Sequence, residues 1–171
     1  FRFASYCGIS GVTKKEETLA DGAATVAALS AAVTAMDDEE VTATGRYLFI
    51  TPTLLQGIND MDTTKSKKVL EGFEQVIKVP QRRFYTAIKQ LSGKTGEEAG
   101  GYTKATGAAN INFAIVQKDA LIQYTKHAAP KIIAPENNPD ADAYVFGYRM
   151  VGIAKAYKNM LSGMYFSHDK A

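Results

Sequence analysis

The sequence predicts an α+β chain, a sheet of about four strands with helices on its faces, joined to an elongated β-ribbon. Two patterns carry this. Between residues 24 and 128, short apolar runs alternate with segments of helical periodicity, as a sheet with helices packed on it requires. From residue 144 onward, Tyr144, Phe146, Tyr148 and Met150 alternate with Val145, Gly147, Arg149 and Val151, the period of two of a strand. The composition, 46% hydrophobic and 22% charged over 171 residues, is that of an ordinary globular chain able to bury a core.

Residues 1–7 read as the end of a helix stopped near Gly8 and Gly11. Residues 12–22 are polar and are expected to be loop. Asp21 is placed to cap a helix over about 24–37, on which Val26, Leu29, Val33 and Met36 form one stripe. The opposite side is largely alanine and leaves room for a second packed element. Asp37-Asp38-Glu39-Glu40 ends that helix against its macrodipole, as a solvated exit. Tyr47-Leu48-Phe49-Ile50 reads as a central buried strand. Thr51 and Pro52 open a helix, expected to break at Gly57 and Asn59-Asp60. Residues 61–72 are charged and read as flexible. Gln75 to Val79 is a second strand closed by Pro80, and residues 84–88 a third. Residues 92–107 hold five glycines and read as a long loop. Ile111 to Val116 is another central strand. Residues 118–128 read as a helix ended by Pro130 and Pro135. Asn137-Asn138-Pro139-Asp140 then turns the chain into the ribbon, read as a strand over 141–157, a tight connection, and a returning strand at 164–168. A ribbon of roughly fifteen residues is far longer than the usual five or six, and its exposed edges invite pairing with other chains.

Net charge is only +2, so no strong attraction to nucleic acid or to an anionic membrane follows. The charge is uneven. Residues 1–40 carry three basic and seven acidic side chains, and residues 61–94 carry eight basic and three acidic. Solvated faces explain this, as do complementary patches that meet between copies. Cys7 is the one cysteine, which excludes an internal disulfide. No run approaches the ~18 apolar residues of a membrane span, and no signal-peptide pattern is present. The chain opens on Phe1-Arg2-Phe3, which reads like the interior of an element, and a trimmed or processed fragment is expected.

Chemistry is sparse. Gly93-Lys94-Thr95 is the tail of a phosphate-binding loop, but the position five residues before Gly93 is Ile88 rather than glycine, and a glycine-rich stretch follows instead of a helix. His127 and His168 lie far apart without metal-ligand spacing. His127 reads as a favourable partner of a helix C-terminus. Cys7 with a distant histidine offers a nucleophile pair on paper; a packed or surface thiol is the simpler reading. The acidic run 37–40 lacks the glycine and ligand rhythm of a calcium loop. Lys65, Lys67, Lys68, Arg82 and Arg83, with Phe84 and Tyr85 beside them, fit a nucleic-acid surface or a salt-bridged rim to a neighbouring subunit equally well.

Several strings in order carry a family resemblance. They are Arg46-Tyr47-Leu48-Phe49-Ile50-Thr51-Pro52, then Val79-Pro80-Gln81-Arg82-Arg83-Phe84-Tyr85-Thr86-Ala87-Ile88, then Gly100-Gly101-Tyr102. Ile111-Asn112-Phe113-Ala114-Ile115-Val116, Lys126-His127-Ala128-Ala129-Pro130-Lys131, Tyr148-Arg149 and Gly163-Met164-Tyr165 complete the set. Over nearly the whole chain this order resembles the C-terminal part of tailed-bacteriophage major capsid proteins, especially those of phages and prophages of Gram-positive bacteria.

The resemblance implies the α+β tailed-phage major capsid protein fold. Its axial domain, with a central mixed sheet flanked by helices, would span 22–132. Its peripheral domain, with a long helix and a long ribbon, would take 1–21 and 133–171. The N-terminal arm, the extended loop and most of the long helix are then expected to be missing. The implied function is structural, not enzymatic: self-assembly into hexamers and pentamers of an icosahedral shell around phage DNA. Such a protein acts in the virion and is assembled in the bacterial host cytoplasm. Its partners are neighbouring copies, a scaffolding protein and a portal, with DNA touched only non-specifically and no membrane. No cofactor is implied. Arg82, Arg83, Phe84, Tyr85, Lys94 and Tyr102 are the candidate subunit-contact residues. The alternatives are a bacterial nanocompartment shell protein of the same fold, and a small α/β ligand-binding or hydrolytic domain. The latter calls for converging His, Asp and Ser, which the sequence does not offer.

Overall fold

Ile111–Gln117 is buried at every position, as expected of a strand covered on both faces. It is the centre of a five-stranded mixed sheet seen in the computed structural model, which describes residues 2–61 and 63–170. The strands in chain order are β1 (Thr13–Glu16), β2 (Arg46–Ile50), β3 (Gln75–Lys78), β6 (Ile111–Gln117) and β9 (Met164–His168), and their spatial order is β1-β9-β6-β2-β3. The outer pairs β1/β9 and β2/β3 are parallel, while β6 runs antiparallel to both β2 and β9. Two short strands, β4 (Ile88–Gln90) and β5 (Tyr102–Lys104), form a separate antiparallel pair.

Register assigns the side chains to faces. Leu48 lies opposite Ile115, Ile50 opposite Phe113, and Ile115 opposite Tyr165. This face packs on α2 (Gly22–Asp38), α3 (Pro52–Asp60) and α4 (Thr64–Glu71), whose Val26, Leu29, Met36, Leu55 and Ile58 join it in one core. On the other face lies Phe49, whose ring meets Phe3 of α1 (Arg2–Cys7) edge-on at 5.1 Å; Phe3 meets Phe84 at 4.8 Å. Helices therefore cover both faces, as the sequence predicts, and the expected stripe on α2 is the buried one.

Helix ends follow the local chemistry. Asp21 caps α2, its carboxylate accepting from the Ala24 amide at 2.7 Å. Thr51 and Pro52 start α3, without a side-chain cap bond. The helix continues past Gly57 to Asp60. Gly57 does not break it, since one glycine inside a helix costs only about 1 kcal/mol relative to alanine; Gly22 packs on its backbone, where a Cβ added to Gly22 would stand 2.2 Å from the Gly57 carbonyl oxygen. Beyond α2, the guanidinium of Arg46 is buried. It donates to the Val41 carbonyl, to the Thr42 carbonyl at 3.1 Å and to Asp37 at 2.7 Å. A cation thus offsets the acidic end of that helix and ties it to β2.

The structure corrects several local expectations. Residues 12–22 contain β1, a strand of exposed polar side chains that exists because its backbone pairs with β9. Residues 61–72 contain α4, opened by a reciprocal capping box between Thr63 and Ser66 at 3.2 Å each way. Residues 84–88 are not a strand: a 3-10 turn, Gln81–Arg83, delivers Phe84 into the core, and β4 begins only at Ile88. Residues 92–107 are not loop throughout, since β5 lies within them.

The largest correction concerns residues 118–128. They are not a helix. A short 3-10 turn at Lys118–Ala120 leads into β7 (Leu121–Ile133), which pairs antiparallel with β8 (Val145–Ala156). The long ribbon is real, but its second strand precedes the Asn137 turn. The expected returning strand at 164–168 is β9 and belongs to the main sheet. Alternation in β7 is broken between Thr125 and His127, where Lys126 is an extra residue in the ladder, and this bulge obscures the strand period. Leu121–Ala156 forms one compact unit; the chain up to Ala120 and from Tyr157 onward forms the other. These limits differ from 21/22 and 132/133, because β1 and β9 complete the main sheet while β7 pairs wholly within the ribbon.

Candidate subunit-contact surfaces

The candidate contact residues fall in two places on the sheet unit. Arg82 and Arg83 are exposed on the 3-10 turn that follows β3. The turn is fixed from beneath: Gln81 donates through Nε2 to the Phe84 carbonyl at 2.9 Å, and the Ile111 amide donates to the same carbonyl at 3.0 Å. Phe84 itself is fully buried against Phe3. It is a core residue and offers nothing to a neighbour, a correction to the contact set. Its signal was in the sequence, since an apolar side chain after two arginines suits an anchor as well as a patch. Tyr85 is half-buried, bridges Asn110, and carries the Lys104 ammonium 5.6 Å above its ring.

Lys94 and Tyr102 belong to the β4–β5 segment, where both are exposed, Tyr102 opposite Gln90. The connection is held by its own carboxylates. Glu97 accepts from the Lys89 ammonium at 2.7 Å and from the Ser92 amide at 2.8 Å, and Glu98 accepts from the Gly96 amide at 2.7 Å. The Lys89 ammonium first, and the Ser92 amide second, push the Glu97 carboxyl down to about 2. Glu97 was missed by the sequence reading, although Lys89 eight residues earlier supplied the opposite charge. In Gly93-Lys94-Thr95 the glycine has positive φ, as does Gly96. The Ser92 and Gly96 amides beside this tripeptide are already taken by carboxylates, and no helix follows. The segment is thus not organised as a phosphate cradle.

Cys7 and His168 line one cavity of about 300 Å³, with Gly8, Lys14, Thr86, Gly107 and Ala109. The thiol is buried, and burial raises its pKa. His168 directs Nδ1 to the Asp169 carbonyl at 2.8 Å. A thiol held neutral by desolvation is poorly prepared as a nucleophile. His127 is not at a helix end; it is exposed on β7. Of the acidic run, Asp37 is committed to Arg46. Among the described residues no cluster of His, Cys, Asp or Glu is arranged to hold a metal ion. No described helix is long and apolar enough to cross a membrane.

The ribbon supplies the largest exposed apolar surface. Ten of the twelve large hydrophobic side chains exposed among the described residues lie between Ile122 and Ile153; the others are Tyr102 and Tyr157. A two-stranded hairpin is marginally stable alone, and an apolar surface of this extent marks a contact site.

A mixed sheet between helices, together with a long apolar ribbon, defines the architecture that the comparisons meet. No protein-family model and no curated protein matches the sequence. Solved structures do. The capsid structure of cyanophage P-SCSP1u is similar at TM-score 0.56 and 17% identity, over 99% of this chain and 59% of that one. A structure from Mycobacterium phage Che8 is similar at TM-score 0.53 and 9% identity, over 96% of this chain and 55% of that one. The chain therefore has the α+β fold of phage capsid structures, and it spans less than two thirds of the length of the chains it matches.

Proposed function

We propose that this chain is a structural part of a phage capsid subunit. The observation that carries this reading is the fold correspondence with a capsid structure over 99% of the chain. Under this reading the chain contributes to a major capsid protein that self-assembles into hexamers and pentamers of an icosahedral shell enclosing DNA. Residues 22–120 belong to the axial domain and the ribbon Leu121–Ala156 to the peripheral one. The resemblance by itself sets the axial domain at 22–132 and assigns residues 1–21 and 133–171 to the peripheral part, although β1 and β9 share the sheet with β6. Shell assembly needs repeated contacts between copies rather than a reaction centre, and closed symmetric contacts supply its energy from buried area. An apolar ribbon lacking cover and an exposed Arg82-Arg83 turn suit that use. Scaffold and portal enter as partners of assembly, and the virion as the place of action. The test is electron microscopy of the purified gene product that contains this chain. Closed shells of uniform diameter are the expected outcome; a product that stays monomeric under all assembly conditions overturns the reading.

A further inference from the structure

The strands β1, β9, β2 and β3 all run in one direction, so the segments that follow β1, β2 and β3 gather at one end of the sheet. The segment after β1 opens α2, and the segment after β2 opens α3. Between these two helices is a notch of about 440 Å³, whose lining includes Leu19, Asp21, Gly22, Leu54, Gly57 and Asp60. Its floor is apolar: Leu19 and Leu54 are half-buried, and the two glycines add no side chain. Its rim carries two exposed carboxylates, and no basic side chain lines it. Asp21 accepts from the Ala24 amide and Asp60 from Gln56 Nε2, each at 2.7 Å through Oδ1. Neither carboxylate pairs with a cation among the described residues. Asp21 offsets the positive end of α2, and Asp60 adds its charge to the negative end of α3. The segment after β3 is the Gln81–Arg83 turn, at the same end of the sheet. Arg82 and Arg83 are exposed there, and neither makes an ion pair with another described residue.

We propose that this notch receives the Arg82-Arg83 turn of a second copy in a head-to-tail contact. The charges match, two arginines against Asp21 and Asp60, and pairing them leaves no net charge at the contact. The chemistry of the notch suits arginine in particular. Its aliphatic stem lies along an apolar floor such as Leu19 and Leu54 provide, and its planar guanidinium meets a carboxylate through two parallel hydrogen bonds. The turn is also ready-formed. Gln81 holds it through the Phe84 carbonyl at 2.9 Å and Phe84 anchors it in the core, so docking costs little backbone ordering. Turn and notch are different surfaces at one end of the same sheet, so the contact is heterologous. Repeated about an axis beside that end, it closes a ring. DNA as the partner of the arginines would leave the acidic notch without a use. The inference rests on the capsid reading above and deepens it by naming the two surfaces that meet between neighbouring copies.

The purified gene product that contains this chain provides the test, with circular dichroism to confirm that each variant is folded. Asp60→Arg and Arg83→Asp should each lower the yield of closed shells about tenfold or more, since each sets like charges together. Combined in one chain they again place opposite charges in contact, and the yield should return to within about twofold of the parent. As an independent readout, Arg83→Cys chains mixed with Asp60→Cys chains should be joined into covalent dimers by a short bifunctional maleimide, and neither variant alone should be; Cys7 is buried. A combined charge variant that assembles no better than the single ones overturns the inference. So does loss of assembly in Arg83→Asp with none in Asp60→Arg, a result that turns the arginines toward packaged DNA. Normal shells from every variant, with no cross-link, would sink this contact alone and leave the capsid reading standing; a product that forms neither shells nor covalent dimers would sink both.

Discussion

Arg46 offers the sharpest test of how the sheet unit is held together. Its side chain is 2% exposed and that of Asp37 is 55% exposed. Removing the guanidinium by Arg46→Ala has three consequences. The Val41 carbonyl, in a buried residue, loses its charged donor and is left without it away from water, at about 1–3 kcal/mol. The aliphatic stem leaves a void beside the end of α2, adding about 1 kcal/mol. The Asp37 carboxylate and the Thr42 carbonyl return to solvent at little cost. The sum is roughly 3 kcal/mol. Asp37→Ala, by contrast, leaves the guanidinium with both carbonyls and should cost about 1 kcal/mol or less. The chain has no tryptophan, so urea unfolding is followed by far-ultraviolet circular dichroism. Equal losses for the two variants would show that the ion pair, and not the carbonyl bonds, ties α2 to β2, and would refute the reasoning.

The other expectations concern a backbone contact, two titrations and a surface. Gly22→Ala should destabilise by about 2 kcal/mol or more, because the added Cβ meets backbone at 2.2 Å, whereas Gly57→Ala, with its nearest atoms at 3.5 Å, should be neutral or gain up to about 1 kcal/mol of helix propensity; the reverse order in thermal melts would contradict the packing. Burial, then the Glu17 carboxylate, raises the Tyr165 phenol to about 12. Its neutral form is favoured in the fold, so that stabilisation is complete below pH 10 and is lost between about pH 10 and 12, on the order of 2 kcal/mol; Tyr165→Phe should flatten the alkaline limb of the stability curve. Glu97 is depressed to about 2, so its clamp on the Ser92 amide should be complete above pH 4.5 and be lost as pH falls through about 2, read as a loss of protection at that amide relative to its intrinsic exchange rate; undiminished protection in the wild type at the lowest pH, or the same pH-dependent loss in Glu97→Gln, would refute it. Arg82→Glu with Arg83→Glu should impair shell formation seen by electron microscopy while leaving the circular dichroism spectrum intact, and normal shells in normal yield would make both arginines plain surface charge.

Elements whose shape is set by their own side chains were legible in the sequence. The Asp21-capped α2, the apolar runs of β2 and β6, and the aromatic alternation of β8 each announce burial through a local period. Elements made by a partner were not. β1 is Thr-Lys-Lys-Glu, polar and exposed along its length, and is a strand only because β9 runs beside it. The bulge at Lys126 breaks the alternation of β7, and its identity as the ribbon's second strand rests on pairing with residues 145–156 across the turn. Phe84 reads as either anchor or patch until Phe3 closes over it, and Arg46 reads as a surface charge until Val41, Thr42 and Asp37 converge on it. The sequence by itself determined an α+β chain with buried central strands and one long apolar ribbon. The tertiary structure alone decided which strands pair and which side chains are left for another molecule. The physical reason is that backbone hydrogen bonding between strands carries no side-chain signature, whereas burial does.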